Sequence, residues 1–293
     1  MKLANIFSML GGLALFLYGM NMMSNGLELA AGNKMKTILE KLTSNRFLGV
    51  LVGALVTAII QSSSATTVMV VGFVNSGLMS LTSAVWVIMG ANIGTTITGQ
   101  LIAIDITAIA PLIAFIGVAM IVFFKSKKLD ALGTVIGGLG ILFIGMETMS
   151  NAMIPLRTMP EFVGLISKFQ NPFIGILVGA GFTAIIQSSS ASVGILQALA
   201  RSGVMTLPSA IYVLFGQNIG TCITSVLASI GTSKNAKRTT IIHLSFNIIG
   251  TIIFVTISML FPFAHLVESI TPHNVAAQIA NVHTIFNVTT TLL

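Results

Sequence analysis

The sequence predicts an all-α integral membrane protein made of two inverted-topology repeats, each with a re-entrant helical hairpin and a broken transmembrane helix. Composition is the first reason. Of 293 residues, 55% are hydrophobic and 7% charged, against about 25% charged in an ordinary soluble domain. Mean hydropathy is +0.99, so little polar surface is left to cover a globule and the chain belongs in lipid. The second reason is a duplicated string: Gln-Ser-Ser-Ser-Ala stands at 61–65 and again at 187–191, 126 residues on. The third is that this offset aligns the surroundings. GVLVGALVTAIIQSSSA (49–65) matches GILVGAGFTAIIQSSSA (175–191) at 14 of 17 positions, and GANIGTTIT (90–98) matches GQNIGTCIT (216–224) at 7 of 9. Residues 11–27 match 137–153 at 8 of 17. One offset across three separated blocks marks a duplicated unit, and duplicated membrane units with polar clusters at matching depths are the mark of secondary transporters.

The elements follow in order. Apolar runs long enough to span are 4–23, 81–104, 106–124, 131–149, 207–230 and 239–262. The run after Lys2 is a full span rather than a cleavable signal. The apolar segments 47–60 and 65–78, and likewise 173–186 and 191–204, flank the two QSSS strings. Fourteen helical residues reach only about 21 Å, short of the roughly 30 Å hydrocarbon core. Each pair is therefore expected to form a re-entrant hairpin (47–78 and 173–204) with QSSS at its tip, buried in protein or beside water. Stretches 24–46 and 150–168 mix apolar and charged residues and are placed at the interface. The expected units are 1–130, a first repeat with a broken helix at 81–104, and 131–262, a second with a broken helix at 207–230. Residues 263–293 form an outer loop and begin a further span. The apolar run 279–293 is 15 residues, short of the roughly 20 a span needs, so a C-terminal continuation is expected.

Charge sets the orientation. Lys and Arg number 14 against 7 Asp and Glu, net +7, but the basic residues fall in short clusters between apolar runs, not in a basic patch interleaved with aromatics. That pattern excludes nucleic acid as the partner and serves topology. With the N-terminus outside, ten basic residues (Lys34, Lys36, Lys41, Arg46, Lys125, Lys127, Lys128, Lys234, Lys237, Arg238) face the cytoplasm, and only Lys2, Arg157 and Lys168 face out, with Arg201 uncounted inside a hairpin. Three crossings between equivalent points then invert the second repeat, and both hairpin tips approach the bilayer midplane.

The tips carry the chemistry. A serine at the start of a helical arm caps it, and the free amides beside it point at the tip. Ser62, Ser63 and Ser64 with Ser188, Ser189 and Ser190 thus bring hydroxyls, amides and two positive helix ends to one space, which is an anion site. The first arms end at 57–60 and 183–186, where carbonyl oxygens without helical partners are hard donors suited to Na⁺. The Asn92-Ile93-Gly94-Thr95 and Asn218-Ile219-Gly220-Thr221 strings add amide and hydroxyl groups mid-span, where glycine permits a helix break. None of these residues is charged, so anion and cation are expected to load together. Serine and threonine in membrane helices often only share hydrogen bonds between helices, but two identical strings in two short-armed hairpins go beyond that. Neither QSSS carries a Gly-x-Ser-x-Gly elbow, no acid and histidine stand in frame for it, and the chain is not read as an enzyme.

Other residues take smaller parts. His243 with Asn247, and His283 with Asn287, share a spacing that puts both side chains on one helix face. Inter-helix hydrogen bonding is expected of them; too few donors converge for a transition-metal site. Asp105 is placed at the outer interface, Arg201 near the end of a hairpin arm, and Glu147 at an interface. The lone Cys222, at the position equivalent to Thr96, rules out an internal disulfide and is expected to border the substrate cavity.

QSSS twice, each followed by an NIGT string, resembles the type II sodium–phosphate cotransporters and their bacterial relatives over essentially the whole chain. The resemblance implies sodium-coupled transport of inorganic phosphate across the plasma or inner membrane, with Na⁺ as coupling ion and no other cofactor. It implies phosphate binding by Gln61, Ser62, Ser63, Ser64, Gln187, Ser188, Ser189 and Ser190. It also implies sodium binding by Thr57, Gln61, Asn92, Thr95, Thr183, Gln187, Asn218 and Thr221. Many bacterial relatives carry a helical cytoplasmic regulatory domain after the membrane part, which the end at Leu293 fits. The electrogenic animal members have an aspartate near the core sites; between either QSSS and its NIGT this chain has no acid, so sodium stoichiometry stays open. Another oxyanion or a dicarboxylate as substrate, phosphate export, and a passive anion channel are the alternative readings.

Overall fold

A computed structural model describes residues 3–31, 38–39, 45–104, 106–124 and 126–293. Every regular element among them is helical. Helix α1 (Leu3–Ala31) is followed by a pair of short helices, α2 (Arg46–Ile60) and α3 (Ser63–Asn75), then α4 (Leu81–Ala103) and α5 (Ala110–Phe123). The second half repeats the order: α6 (Lys127–Met153), short α7 (Pro160–Ser167), the pair α8 (Pro172–Ile186) and α9 (Ser189–Arg201), α10 (Leu207–Thr221) with its short continuation α11 (Ile223–Ala228), and α12 (Lys234–Leu260). Helices α13 (Phe263–Ile270) and α14 (Val275–Leu292) follow.

Among the described residues, five helical stretches are long and apolar enough to cross a membrane: Leu3–Ala31, Leu81–Ala103, Lys127–Thr158, Leu207–Ala228 and Lys234–Leu260. Burial is inside-out relative to a soluble globule. Phe7, Phe115, Leu177, Ile185, Ile252 and Met259 are exposed, whereas Thr57, Thr66, Ser192, Gln197 and Asn247 are fully buried. An apolar rind around a polar interior is what lipid as solvent selects. The sixth expected span, 106–124, is shorter than the others: a 3₁₀ turn at Thr107–Ile109 precedes a 14-residue helix that Pro111 helps to start. Asp105, at its head, and much of the stretch 24–46 lie outside the described residues.

The duplication is visible in the packing. Helices α1 and α6, equivalent by the 126-residue offset, pack along each other through equivalent glycines. A Cβ on Gly19 would stand 2.3 Å from Leu142 N, and one on Gly145 2.3 Å from Phe16 N. Small residues let the two backbones meet, the usual way membrane helices associate. The hairpin arms repeat as well. Gly53 abuts the Val87 carbonyl and Gly179 that of Val213, again equivalent positions.

One expectation of the sequence needs correction. Helix α4 runs unbroken from Leu81 to Ala103, straight through Asn92–Thr96. The second copy is interrupted, but at Cys222, one residue after the motif. The motif glycine serves close approach, not a break. A Cβ on Gly94 would meet Ala54 O at 2.4 Å and Thr57 Cβ at 2.8 Å; on Gly220, Ala180 O at 2.4 Å and Thr183 Cβ at 2.8 Å. In both copies the NIGT segment is pressed against the first arm of its own hairpin.

Candidate functional site

Each QSSS string makes the reversal between two short helices. Helix α2 ends at Gln61 with φ 59° and ψ 23°, and α8 ends at Gln187 with φ 59° and ψ 21°. This left-handed conformation is a helix stop that glycine usually supplies; a side chain there costs about 1–2 kcal/mol. Both glutamine amides bond back at 2.7 Å, Gln61 N to Thr57 O and Gln187 N to Thr183 O. Ser62 and Ser188 then cap the second arms, their hydroxyls accepting from Ala65 N at 3.1 Å and Ala191 N at 3.2 Å. The arms are tied below the tip by Thr57 Oγ1 to Thr66 Oγ1 (3.0 Å) and Thr183 Oγ1 to Ser192 Oγ (2.9 Å). Thr57 and Thr183 are fully buried, so hydroxyl and carbonyl alike are engaged within their own hairpins.

The two tips touch. Ser64 Oγ donates to the Gln187 carbonyl at 3.1 Å. A second route runs through Thr98 on α4, which donates to Gln61 Oε1 at 2.7 Å and accepts from Ser190 Oγ at 3.3 Å. The middle serines are left over. Ser63 and Ser189 are buried at 4% and 5% exposure, and neither hydroxyl has a hydrogen-bond partner among the described residues. Each opens a helical arm, where the first amides lack helical acceptors. Two free hydroxyls and two helix N-termini therefore belong to tips in mutual contact, with no formal charge among them.

The tips differ in one respect. Gln61 is buried, its Nε2 donating to the Ala58 carbonyl and its Oε1 taken by Thr98, while Gln187 is exposed and makes no side-chain bond. Thr224, equivalent to Thr98, instead donates to Thr221 O at 3.1 Å.

Around the tips stand the NIGT residues. Asn92 and Asn218 are each 6% exposed, Thr95 4% and Thr221 5%. Both threonines donate to carbonyls one turn back, Ala91 at 3.0 Å and Gln217 at 2.9 Å. Asn92 Nδ2 donates to Asn247 Oδ1 on α12 at 3.1 Å. Asn247 thus does what its spacing from His243 predicted, bonding between helices. The cysteine does not: Cys222 is 1% exposed, and its Sγ accepts from Asn247 Nδ2 at 3.3 Å. It fills the packing between α10 and α12 and borders no open space. Arg201 reaches from the end of α9 to the carbonyls of Ile102 and Ile104 at 2.9 and 3.3 Å, fastening the second hairpin to the end of α4. A cavity of about 720 Å³ lined by Arg46, Trp86, Phe246 and Thr291 contains no residue of either motif.

The Na⁺/Pi-cotransporter family profile matches residues 15–151 and 158–272. The chain belongs to that family. Among its relatives, an uncharacterized protein of Bacillus subtilis, YqeW, is 34% identical over 285 residues, covering 95% of this chain and 90% of that protein. The putative inorganic phosphate export protein YjbB of Salmonella typhimurium is 29% identical over 264 residues, 89% of this chain. The chain spans about half of that relative's length, 48%. The sodium-dependent phosphate transport protein 2A of rat is 40% identical over 105 residues, 35% of this chain and 16% of that protein. No solved structure matches. Membership of the Na⁺/Pi-cotransporter family and several apolar membrane-length helices make the protein a multi-pass membrane protein of a transporter family.

Two residues of this Na⁺/Pi-cotransporter fold act on the site from outside the QSSS and NIGT strings. Thr98 links the tips, and it lies inside the matched block 90–98 at the position equivalent to Thr224. The duplicated block carries its signal, but nothing in the sequence points Thr98 at the tips. Asn247 orients Asn92; its helical spacing was legible, its partner 155 residues away was not.

Proposed function

We propose that the protein carries inorganic phosphate across the cell membrane together with Na⁺, by alternating access around one site between the two QSSS tips. The contact of Ser64 with the Gln187 carbonyl, 123 residues apart in sequence, is the observation that carries this reading. It puts both strings at one place, where Gln61, Ser62, Ser63 and Ser64 with Gln187, Ser188, Ser189 and Ser190 hold the anion. The free hydroxyls of Ser63 and Ser189 and the unbonded arm amides fit a tetrahedral oxyanion, which accepts hydrogen bonds on every face.

In the same reading, Na⁺ is held by oxygens of Gln61, Asn92, Thr95, Gln187, Asn218 and Thr221, with Thr57 and Thr183 shaping the hairpins that present them. Because the residues are neutral, anion and cation offset each other's charge on loading. The hairpins 47–78 and 173–204 enter from opposite faces, the repeats 1–130 and 131–262 are inverted, and the N-terminus lies outside, as the ten-to-three distribution of basic residues favours. Symmetry of the two halves supplies the two access states.

A second reading is export of phosphate through the same site, favoured by the name of the YjbB relatives. Radiolabelled phosphate flux into proteoliposomes under an imposed Na⁺ gradient tests both. Uptake that follows the inward Na⁺ gradient, and is competed by phosphate far better than by sulfate or a dicarboxylate, is the expected result. Flux indifferent to Na⁺ contradicts sodium coupling.

A further inference from the structure

Helices α12 and α14 carry one pattern, His-x-x-Phe-Asn: His243, Phe246 and Asn247 in the first, His283, Phe286 and Asn287 in the second. They meet the two repeats in matching ways. Thr251, four residues past Asn247, donates to Phe215 O at 3.3 Å; Thr291, four past Asn287, donates to Met89 O at 3.3 Å. Met89 and Phe215 are equivalent, 126 residues apart. His243 Nδ1 lies 3.2 Å from Ser225 Oγ, and His283 Nδ1 lies 3.8 Å from the Cβ position of Gly99, the equivalent of Ser225.

At the asparagines the correspondence fails. Asn247 Oδ1 accepts the Asn92 amide at 3.1 Å. Asn287 is fully buried, and its Oδ1 has no hydrogen-bond partner. Its counterpart Asn218 turns Nδ2 away, to Leu214 O on its own helix at 3.1 Å. Asn287 Nδ2 is likewise held by His283 O at 2.9 Å. These carbonyls fix the amide orientations, since flipping either one would set oxygen against oxygen. Phe215, one turn before Asn218, stacks on Phe286, the neighbour of Asn287, with ring centroids 5.2 Å apart. Where the first half pairs an N–H with an oxygen, both amide N–H groups of the second half are turned to carbonyls of their own helices and the Asn287 oxygen is left unpaired.

We propose that Asn218 and Asn287 hold one Na⁺ through their Oδ1 atoms, which makes Asn287 a sodium ligand outside both the QSSS and NIGT strings. Neutral hard oxygens with no competing N–H suit an alkali cation in a membrane interior. A cation there supplies what Asn92 supplies to Asn247. The inference rests on the sodium-coupled reading above and adds a residue to it.

The test titrates Na⁺ against choline at constant ionic strength on the full chain. Two quantities are read: the rate of phosphate uptake by proteoliposomes, and the thermal stability of the solubilised protein without phosphate. Wild type is expected to respond to Na⁺ in both. N287A is expected to raise the Na⁺ concentration for half-maximal uptake at least about tenfold and to lose the thermal response, with phosphate KM at saturating Na⁺ changed less than twofold. N287D keeps an oxygen and adds charge, so it is expected to respond at Na⁺ concentrations equal to or below those of wild type. If N287A does not fold, N287D decides: a half-saturating Na⁺ higher than wild type overturns the site. N287A that responds like wild type also overturns it, and points to a bridging water between the oxygens. A wild type indifferent to Na⁺ overturns the sodium reading itself.

Discussion

Ser64 Oγ and the backbone carbonyl of Gln187 are 3.1 Å apart, donor to acceptor. The two belong to copies of one string 126 residues apart, so the bond joins the halves of the duplicated chain at equivalent points. The neighbouring Gln61–Thr98–Ser190 chain, at 2.7 and 3.3 Å, joins them a second time. In the proposed reading the transport site has both halves in it, so a shift of one half against the other changes the site directly.

The NIGT glycines carry the first prediction. G94A and G220A each place a Cβ 2.4 Å from a helix carbonyl oxygen, and backbone cannot move aside as a flexible side chain would. Each substitution is expected to destabilise the fold by about 1–3 kcal/mol, read as a fall in thermal unfolding temperature in detergent. G72A is the control. Gly72 is helical, exposed, and has nothing within 4 Å of its Cβ position, so it is expected to be neutral or to stabilise by up to about 1 kcal/mol. Equal losses at all three positions contradict the close-approach role.

The same glycines show where sequence reading stops. The 126-residue offset, the short arms at 47–60 and 173–186 and the turn at each QSSS were legible, because hydrophobic length and string identity are local. Sequence makes Gly94 a helix breaker because glycine's backbone freedom is visible there, whereas its neighbour Ala54 is a tertiary fact. Nearness to Thr221 puts Cys222 beside the cavity, yet one residue turns the side chain about 100° around a helix, onto Asn247 in this fold. Pairings such as Asn92 with Asn247 needed the fold.

The asymmetry of the glutamines gives the second prediction. With C222T removing the native thiol, Q187C is expected to react quickly with a small polar thiol reagent, since Gln187 is exposed. Q61C is expected to react at least about tenfold more slowly, as Gln61 is 6% exposed and held under Thr98. The native Cys222, 1% exposed, is expected to stay unmodified under the same conditions. Equal rates at 61 and 187 contradict the difference in exposure between the two glutamines.

Gly99 supplies the third. His283 Nδ1 is buried without a partner, and the equivalent His243 has Ser225. A Cβ at Gly99 would meet nothing nearer than 3.5 Å, so G99S fits and brings a hydroxyl to the orphan nitrogen. A gain of about 1 kcal/mol is expected from the hydrogen bond, with a further ~0.5–1 kcal/mol from replacing a mid-helix glycine. A lower unfolding temperature for G99S than for wild type contradicts the pairing of α12 with α14.

Phosphate binding to S63A, S189A and the double variant, measured on purified protein at saturating Na⁺, tests the shared site most directly. Both serines are buried residues that open a helical arm, and neither hydroxyl has a partner among the described residues. Removing a hydrogen bond to a charged ligand costs roughly 1.5–3 kcal/mol, so each single variant is expected to bind at least about tenfold more weakly while folding as wild type does. Because both hydroxyls address one anion, the double variant is expected to lose less than the product of the two single losses. A single variant that binds phosphate like wild type, or two losses that multiply as independent sites would, contradicts a common site between the tips.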